Sequence, residues 1–454
     1  MTKTTSPKTG LDGLLVGPIL PKLLRFALPN MAAMLATALA AIAETSYVGS
    51  FGPSALAAMA LVFPFVMFQM MLSGGAMGGG VSSAVSRALG AGDADRANAL
   101  AVHALWIALT AGTLYMAAMF AFSETLFSIL GAQGDALAQA MAYSKMAFLG
   151  SIAIWVVNIL SAVIRGAGNM TVPSLTLLAV ALAQVAFGGA LGLGWGPFPS
   201  LGMRGVAAGS VIAYSCGAVF LVLYLLLAGG AITLNVSKTP IQRELMADIL
   251  RVGAVACISP LQTVLTILIL TRLVAYFGID ALAGYGIGTR LEFLLVPIGF
   301  AIGVASVPLV GMAIGAGHIA RARAAAWTAA ALAFAVLGLL GLVVTLAPNL
   351  WIHLFTQVPA VVSSARTYFV WAGPTYGLFG LGLSLYFSSL AAGKATGPVL
   401  AGTLRLGVVS AGGALLAFWA TPTWTIFALV AAGMVVYGVS SILFVRNTSW
   451  GTEK

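Results

Sequence analysis

A carboxylate stands near the end of a long apolar run: Glu44 in AIAETSYVGSFG, residues 41–52. An ionised acid at the centre of a bilayer costs from about 3 kcal/mol upward, so one that persists there faces protein or water. Residues seven apart on a helix lie nearly on one face. Asn30, Thr37 and Glu44 form such a set, and Tyr47 follows one turn on. The other residues from Asn30 to Glu44 are Ala, Leu, Met and Ile, so a single polar stripe is predicted to turn away from lipid. At a rise of 1.5 Å per residue, Glu44 lies about 7 Å short of Gly49, within reach of a cavity opening at that end. Burial favours the neutral form of any carboxyl. Such a group can take a proton on one side of a membrane and release it on the other. A cationic cargo competes with that proton, and competition for one carboxylate suffices for antiport when access alternates. The structural alternative for Glu44 is a hydrogen bond to a neighbouring helix, or snorkelling to the interface.

The other chemistry-bearing residues are few. Arg290 and Glu292 in GTRLEFLL are two apart and point to different faces of a helix, so they do not simply pair with each other. Glu292 reads either as a second cation site or as the partner of Arg272, Arg366 or Arg405, and the ion-paired reading is preferred. Met31, Met34, Met59, Met67, Met70, Met71 and Met77 cluster early. Thioethers suit a pocket that repacks around varied ligands, and equally suit plain packing. SGGAMGGGVSS at 73–83 lacks the Lys and the strand-to-helix setting of a phosphate-binding loop, and its small residues allow close helix approach instead. His103, His318 and His353 are scattered, and Cys216 and Cys257 lie in apolar runs, so no metal site or disulfide framework is expected. No cofactor and no nucleotide-binding motif is read.

These residues must be held by membrane helices. The 454-residue chain is 61% hydrophobic and 7% charged, against roughly a quarter charged in soluble proteins. Apolar runs of this length match helices crossing about 30 Å of hydrocarbon and not barrel strands. The expectation is an all-α polytopic membrane protein with about twelve transmembrane helices. They fall near 24–49, 56–84, 99–122, 138–164, 172–195, 202–229, 250–276, 281–312, 323–347, 360–391, 397–419 and 423–445. No cleavable signal peptide is evident. The net charge of +10 reads as the positive-inside bias, so no nucleic-acid partner is expected. With the N-terminus inside, Lys3, Lys8, Lys22, Arg25, Arg87, Arg96, Arg165, Lys238, Arg243, Arg251, Arg321, Arg323, Lys394, Arg446 and Lys454 fall inside, and both termini are cytoplasmic. Arg204 falls outside, and Lys145, Arg272 and Arg366 weaken the bias slightly.

An internal repeat organises the spans. LLRFALP at 23 recurs as ILRVGAV at 249, and FGPSALAAMA at 51 as FGIDALAGYG at 277. ALGAGDADRANA at 88 recurs as AIGAGHIARARA at 313, and GAGNMTVPS at 166 as AAGKATGPV at 391. The offset stays at 225 or 226 throughout. Six spans per half start both halves on the same side, so the halves are parallel repeats. The predicted organisation is a tail over 1–20, one lobe over 21–230, a cytoplasmic linker over 231–249, a second lobe over 250–446 and a tail over 447–454. The repeat position of Glu44 is Leu270, so the acid belongs to the first lobe alone.

In their order along the chain, several stretches resemble the MATE (multidrug and toxic compound extrusion) family. They are AETSYVGSFGPSALAAMAL, GAGDADRANA, NILSAVIRGAGNMTVPS, LGMRGVAAGSVIA, GYGIGTRLEFLLVPIGFAIG and GAGHIARARA. The resemblance covers about residues 20–445. It implies two six-helix lobes forming a V around a large central cavity, and cation-driven export of organic, often cationic, compounds. Glu44 falls where the family usually has an Asp central to coupling. Many members carry an Asn and an Asp four apart in span five; the matching residues are Gln184 and Gly188, so the second carboxylate is missing. Asn158 matches a polar position of span four, which also reads as a plain interhelical hydrogen bond. Arg290 and Arg405 match basic positions of spans eight and eleven. The substrate cavity is assigned to Asn30, Thr37, Tyr47, Gln69, Asn158 and Gln184.

Together these readings give an antiporter and not an enzyme. Protons are the favoured coupling ion over Na⁺, because a hard cation wants several oxygen ligands. The implied partners are a small organic substrate and the lipid bilayer of the cytoplasmic (inner) membrane, with no obligate protein partner. A flippase for pyrophosphate-linked lipids would need several cations in its spans, and an intramembrane prenyltransferase would need clustered acids for Mg²⁺. Eleven acids in total supply no such cluster. A lipid-linked precursor flippase, the closest rival, and a dedicated metabolite exporter of the same superfamily stay as alternatives; a passive channel is a further one, and the two-lobe repeat argues against it.

Overall fold

The computed structural model describes residues 12–227, 230–236, 239–418 and 422–452. Lys3, Lys8, Lys238 and Lys454 of the charge bias lie outside them. Among the described residues the chain is helical, with no strand. The helices up to Leu227 are α1 (Asp12–Leu15), α2 (Ile19–Gly49), α3 (Pro53–Met70), α4 (Gly78–Gly90), α5 (Ala94–Ile129), α6 (Gly134–Leu149), α7 (Ser151–Gly166), α8 (Thr171–Gly189) and α9 (Met203–Leu227). After the connection come α10 (Arg243–Ala256), α11 (Ile258–Tyr276), α12 (Ile279–Gly315), α13 (Ile319–Leu346), α14 (Asn349–Ile352), α15 (Pro359–Ala372), α16 (Tyr376–Ala391), α17 (Thr396–Phe418) and α18 (Trp424–Asn447).

Ten helical stretches among the described residues are long and apolar enough to cross a membrane. An eleventh is the pair α6 and α7, bent by 44° at Gly150. The tenth predicted span, 360–391, is α15 and α16 joined by the 3-10 turn Gly373–Thr375. Spans four and ten are therefore broken, where the apolar pattern predicts continuous helices. Pro374, inside that turn, supplies no N–H to a helical ladder.

The repeat is visible in the backbone. Gly52 precedes α3 at φ 101° and Gly278 precedes α12 at φ 104°. Gly92 and Gly317 stand at φ 77° and 80°, and Gly168 and Gly393 at φ 83° and 73°. Each pair is separated by 225 or 226 residues. Left-handed φ excludes most side chains, so glycine is the residue each matched turn needs.

The chain divides into two compact units. One comprises residues 28–253; the other comprises residues up to Ala27 and from Ala254 onward. In the first unit, α8 and α9 approach through glycine: a Cβ on Gly209 would stand 2.3 Å from the Gly188 nitrogen. Backbone contact this close needs small residues on both helices. The segment after α9 packs on the same unit. The Thr233 N–H donates to Asn98 Oδ1 at 2.9 Å, and the Gln242 N–H donates to His103 Nε2 at 2.8 Å. Asp248 accepts from Arg87 at 2.8 Å and from Arg96 at 2.9 Å.

The second unit has a large aromatic core around the buried Tyr368, Phe369, Tyr376 and Phe427. Ser306 and Ser388 share a buried hydrogen bond at 2.9 Å, and Gln262 Nε2 donates to Thr403 at 2.7 Å. Arg321, the repeat counterpart of Arg96, donates to the carbonyls of Leu14 at 3.1 Å and Gly17 at 3.0 Å. The repeat counterpart of Asp248 is Lys22, and among the described residues the ion pair is found in the first unit alone.

Candidate functional site

Glu44 lies on α2, 5% exposed, inside the first unit. The Ser210 hydroxyl on α9 donates to its Oε1, and the Gln184 side chain on α8 faces the same carboxylate. Tyr47, Tyr143 and Tyr214 stand close enough to feel its charge. Among the described residues no Lys or Arg is within ion-pair distance of it.

Local sequence explains the constellation. Gly188 and Gly209 bring α8 and α9 together, and Ser210 is the next residue along α9. Gln184 lies one turn before Gly188, on the same face. Where the family resemblance implies a second carboxylate, a Cβ on Gly188 would stand 4.0 Å from the Tyr47 ring and 3.6 Å from the Val206 carbonyl. Those are ordinary contacts, so Gly188 borders Tyr47 with room for a side chain between them. Tyr47 in turn meets Trp195 edge-on, with ring centroids 5.4 Å apart. Trp195 lies over Gly189, where any Cβ would collide with the indole.

The remaining predicted residues divide. Gln69 is buried, and its amide donates to the Ser151 carbonyl and accepts from the Ser151 hydroxyl, each at 3.2 Å. Asn158 donates to Ser73 Oγ at 2.8 Å and to Met70 Sδ at 3.6 Å. Both amides thus join α7 to span two and do not meet Glu44. Tyr214 reaches the same Met70 sulfur, at 3.9 Å, which links the Asn158 group to the Glu44 group. Thr37 donates back to the Ala33 carbonyl at 3.0 Å. Asn30 is 1% exposed, and neither of its amide atoms has a hydrogen-bond partner among the described residues.

Ser210, Tyr143 and Tyr214 were not predicted. A signal for the first and last was present in LGMRGVAAGSVIAY, where Gly205 and Gly209 form a small-xxx-small pair. Ser210 and Tyr214 follow one helical turn apart. Tyr143 carries no such mark in the sequence.

In the second unit, Glu292 accepts a hydrogen bond from Tyr368, with Arg405 and Tyr376 acting on its charge and Tyr285 close enough to feel it. The expected arginine ion pair is corrected here. Arg405 lies over the Phe379 ring at 5.5 Å, Arg366 bonds Asn349 at 2.9 Å, and no base among the described residues is within ion-pair distance of Glu292. The reason is packing: Gly288 admits the Tyr368 ring against α12, and this sets a phenol beside the acid one turn on. Arg290 points elsewhere, over Phe355 at 5.0 Å. Leu270, the repeat counterpart of Glu44, is an apolar core residue, 3% exposed.

The MatE family profile matches residues 29–188 and 256–416, one stretch in each half of the repeat. The probable multidrug resistance protein NorM of Thermotoga maritima is 26% identical over 356 residues, covering 77% of this chain and 75% of that protein. The FAD transporter of Shewanella oneidensis is 26% identical over 319 residues, 69% of each chain. The fold is that of a solved MOP superfamily transporter from Pyrococcus furiosus, with a TM-score of 0.89 at 22% identity over 97% of this chain and 98% of that one. With both halves of its repeat matched and twelve-span transporters sharing its fold, this multi-pass membrane protein belongs to the MatE family of transporters.

Proposed function

We propose that this protein is a secondary active, multidrug-type exporter of organic compounds, cationic or neutral and amphipathic, exchanging them for protons at Glu44. The observation that carries the reading is a buried carboxylate with a hydroxyl donor, an amide neighbour and no cationic partner among the described residues. Protonated, it is neutral and holds no cargo; ionised, it attracts a cation. NorM of Thermotoga maritima supports the drug-export part of the reading. Glu44 is the one carboxylate of this group, with Ser210, Gln184 and the tyrosines neutral, and so low a ligand charge favours H⁺ over a hard cation. The Lys and Arg bias supports cytoplasmic termini in an inner membrane.

The test is transport of an organic cation in proteoliposomes under an imposed ΔpH or ΔNa⁺, with wild type beside Glu44→Gln. The expected result is ΔpH-driven transport that the variant loses. Equal ΔpH-driven transport in both proteins, or transport driven by ΔNa⁺ alone, overturns the assignment.

A second reading, export of one dedicated metabolite, is supported by the Shewanella oneidensis FAD transporter, which is as similar as the drug-resistance relative. A panel of chemically unrelated cations separates the two, since a dedicated carrier moves none of them. In either reading the Glu292 cluster is a second protonatable site, in the other half of the repeat.

A further inference from the structure

Arg290 and Glu292 serve different sites. Ala283, Ile287 and Arg290 recur at i, i+4 and i+7 and form one face of α12. Together with Gly286, and with Phe355, Thr356 and Val361 from the segment after α14, they line an open pocket of about 320 Å³. A Cβ on Gly286 would meet nothing within 4 Å, so the floor of the cavity is open. The opposite wall is fixed in place. Trp351 Nε1 donates to the Ile287 carbonyl at 3.0 Å, and the Trp351 ring meets Phe355 edge-on at 5.2 Å.

Arg290 stands exposed at the mouth of this pocket, with no acid beside it. Arg290 has no hydrogen-bond or ion-pair partner among the described residues, and its guanidinium carbon lies over the Phe355 ring, 5.0 Å from the centroid. A cation stacked on an aromatic ring uses only its face. The N–H donors lie in the guanidinium plane and remain free, in the fork geometry that binds a carboxylate or phosphate through two bonds. The lining holds no acid to compete. Its volume lies at the low end of small-molecule sites.

We infer that this cavity binds an organic anion. A carboxylate or phosphate sits on the Arg290 fork, and an apolar or aromatic body lies along Ala283, Gly286 and Ile287. The inference is independent of the role given to Glu44. The same chemistry is offered by a soluble aryl acid and by the head of an anionic lipid.

The test uses the full chain in phosphatidylcholine nanodiscs, titrated with radiolabelled 2-naphthoate and, separately, with the neutral 2-naphthalenemethanol. The expected result is saturable naphthoate binding, weakened about tenfold or more in Arg290→Gln and partly kept in Arg290→Lys. Gly286→Leu fills the floor, leaves the charge in place and is expected to abolish binding. It also decides the matter should Arg290→Gln fail to fold. Replacing part of the phosphatidylcholine with phosphatidylglycerol distinguishes the sources. Competition with naphthoate in wild type identifies a lipid head as an occupant, and no competition leaves the soluble anion; both outcomes support the site. Naphthoate binding that is equal in wild type, Arg290→Gln and Gly286→Leu overturns it. So does binding of the neutral alcohol as tight as that of the acid, or the absence of saturable naphthoate binding in wild type.

Discussion

The hydroxyl of Ser210 on α9 donates to the carboxylate of Glu44 on α2, two residues 166 positions apart in the chain. A hydroxyl can donate only to one oxygen at a time, so it orients the acid without neutralising it. Ser210→Ala removes that orientation. The expected outcome is a several-fold loss of ΔpH-driven transport with folding intact, and Ser210→Thr, which keeps the hydroxyl, is expected to retain most of it. Initial rates in proteoliposomes check this, and equal rates for Ala and Thr would remove Ser210 from the mechanism.

Gly209 is expected to tolerate no side chain. A Cβ there stands 2.3 Å from the Gly188 nitrogen, and backbone does not yield as a flexible side chain does. Gly209→Val should cost about 2 kcal/mol or more by forcing α8 and α9 apart. The same displacement carries Ser210 away from Glu44. Thermal unfolding in detergent measures the first effect and transport the second. Unchanged stability would mean that the two helices do not meet as described.

Gly188 presents the opposite case. Its Cβ would make ordinary contacts with Tyr47 and the Val206 carbonyl, so Gly188→Asp should fold. It places a second carboxylate beside Tyr47, in the neighbourhood of Glu44. More oxygens suit a hard cation better. The expected gain is measurable ΔNa⁺-driven transport, most clearly in the double variant Gly188→Asp with Tyr47→Phe. A purely ΔpH-driven double variant would show that the number of carboxylates does not set ion choice here.

Asp248 joins Arg87 and Arg96, and all three side chains are partly exposed, between 19% and 45%. Asp248→Asn should therefore cost only about 1 kcal/mol of stability. Asp248→Lys should do more, because it sets three like charges together. Its expected signature is faster proteolysis of the connection around residues 239–247, compared with wild type in the same detergent. Identical digestion patterns would mean that the backbone bonds of Thr233 and Gln242 hold the segment unaided.

In the second unit, Tyr368→Phe leaves Glu292 without its hydroxyl donor in a buried setting. A hydrogen bond to a charged group contributes about 1.5–3 kcal/mol, and Glu292→Gln should lose part of the same energy. The two losses should not add in the double variant. Additive losses in thermal unfolding would mean that the pair does not interact.

Much of this protein was legible in the residues. The helical class follows from apolar runs long enough to cross a bilayer, with hardly any charge to solvate. The repeat follows from matched glycines, and the structure gives its physical content: Gly52 and Gly278, Gly92 and Gly317, and Gly168 and Gly393 mark the same turns twice. The buried setting of Glu44 follows from what an acid costs in hydrocarbon. Each of these is set by local composition or by one residue's solvation, and both act through the chain itself.

What surrounds Glu44 was decided elsewhere. Ser210, Tyr143 and Tyr214 are distant in sequence, and only the glycine contact of α8 with α9 sets Ser210 and Gln184 at the acid. Gln69 and Asn158, which looked equally eligible for a cavity, are consumed in joining spans two and four. Glu292 meets a phenol and not an arginine, because Gly288 lets the Tyr368 ring close against its helix. A sequence states which polar groups must find partners. Which partners they find depends on how closely helices far apart in the chain approach, and that distance is fixed only when their surfaces pack.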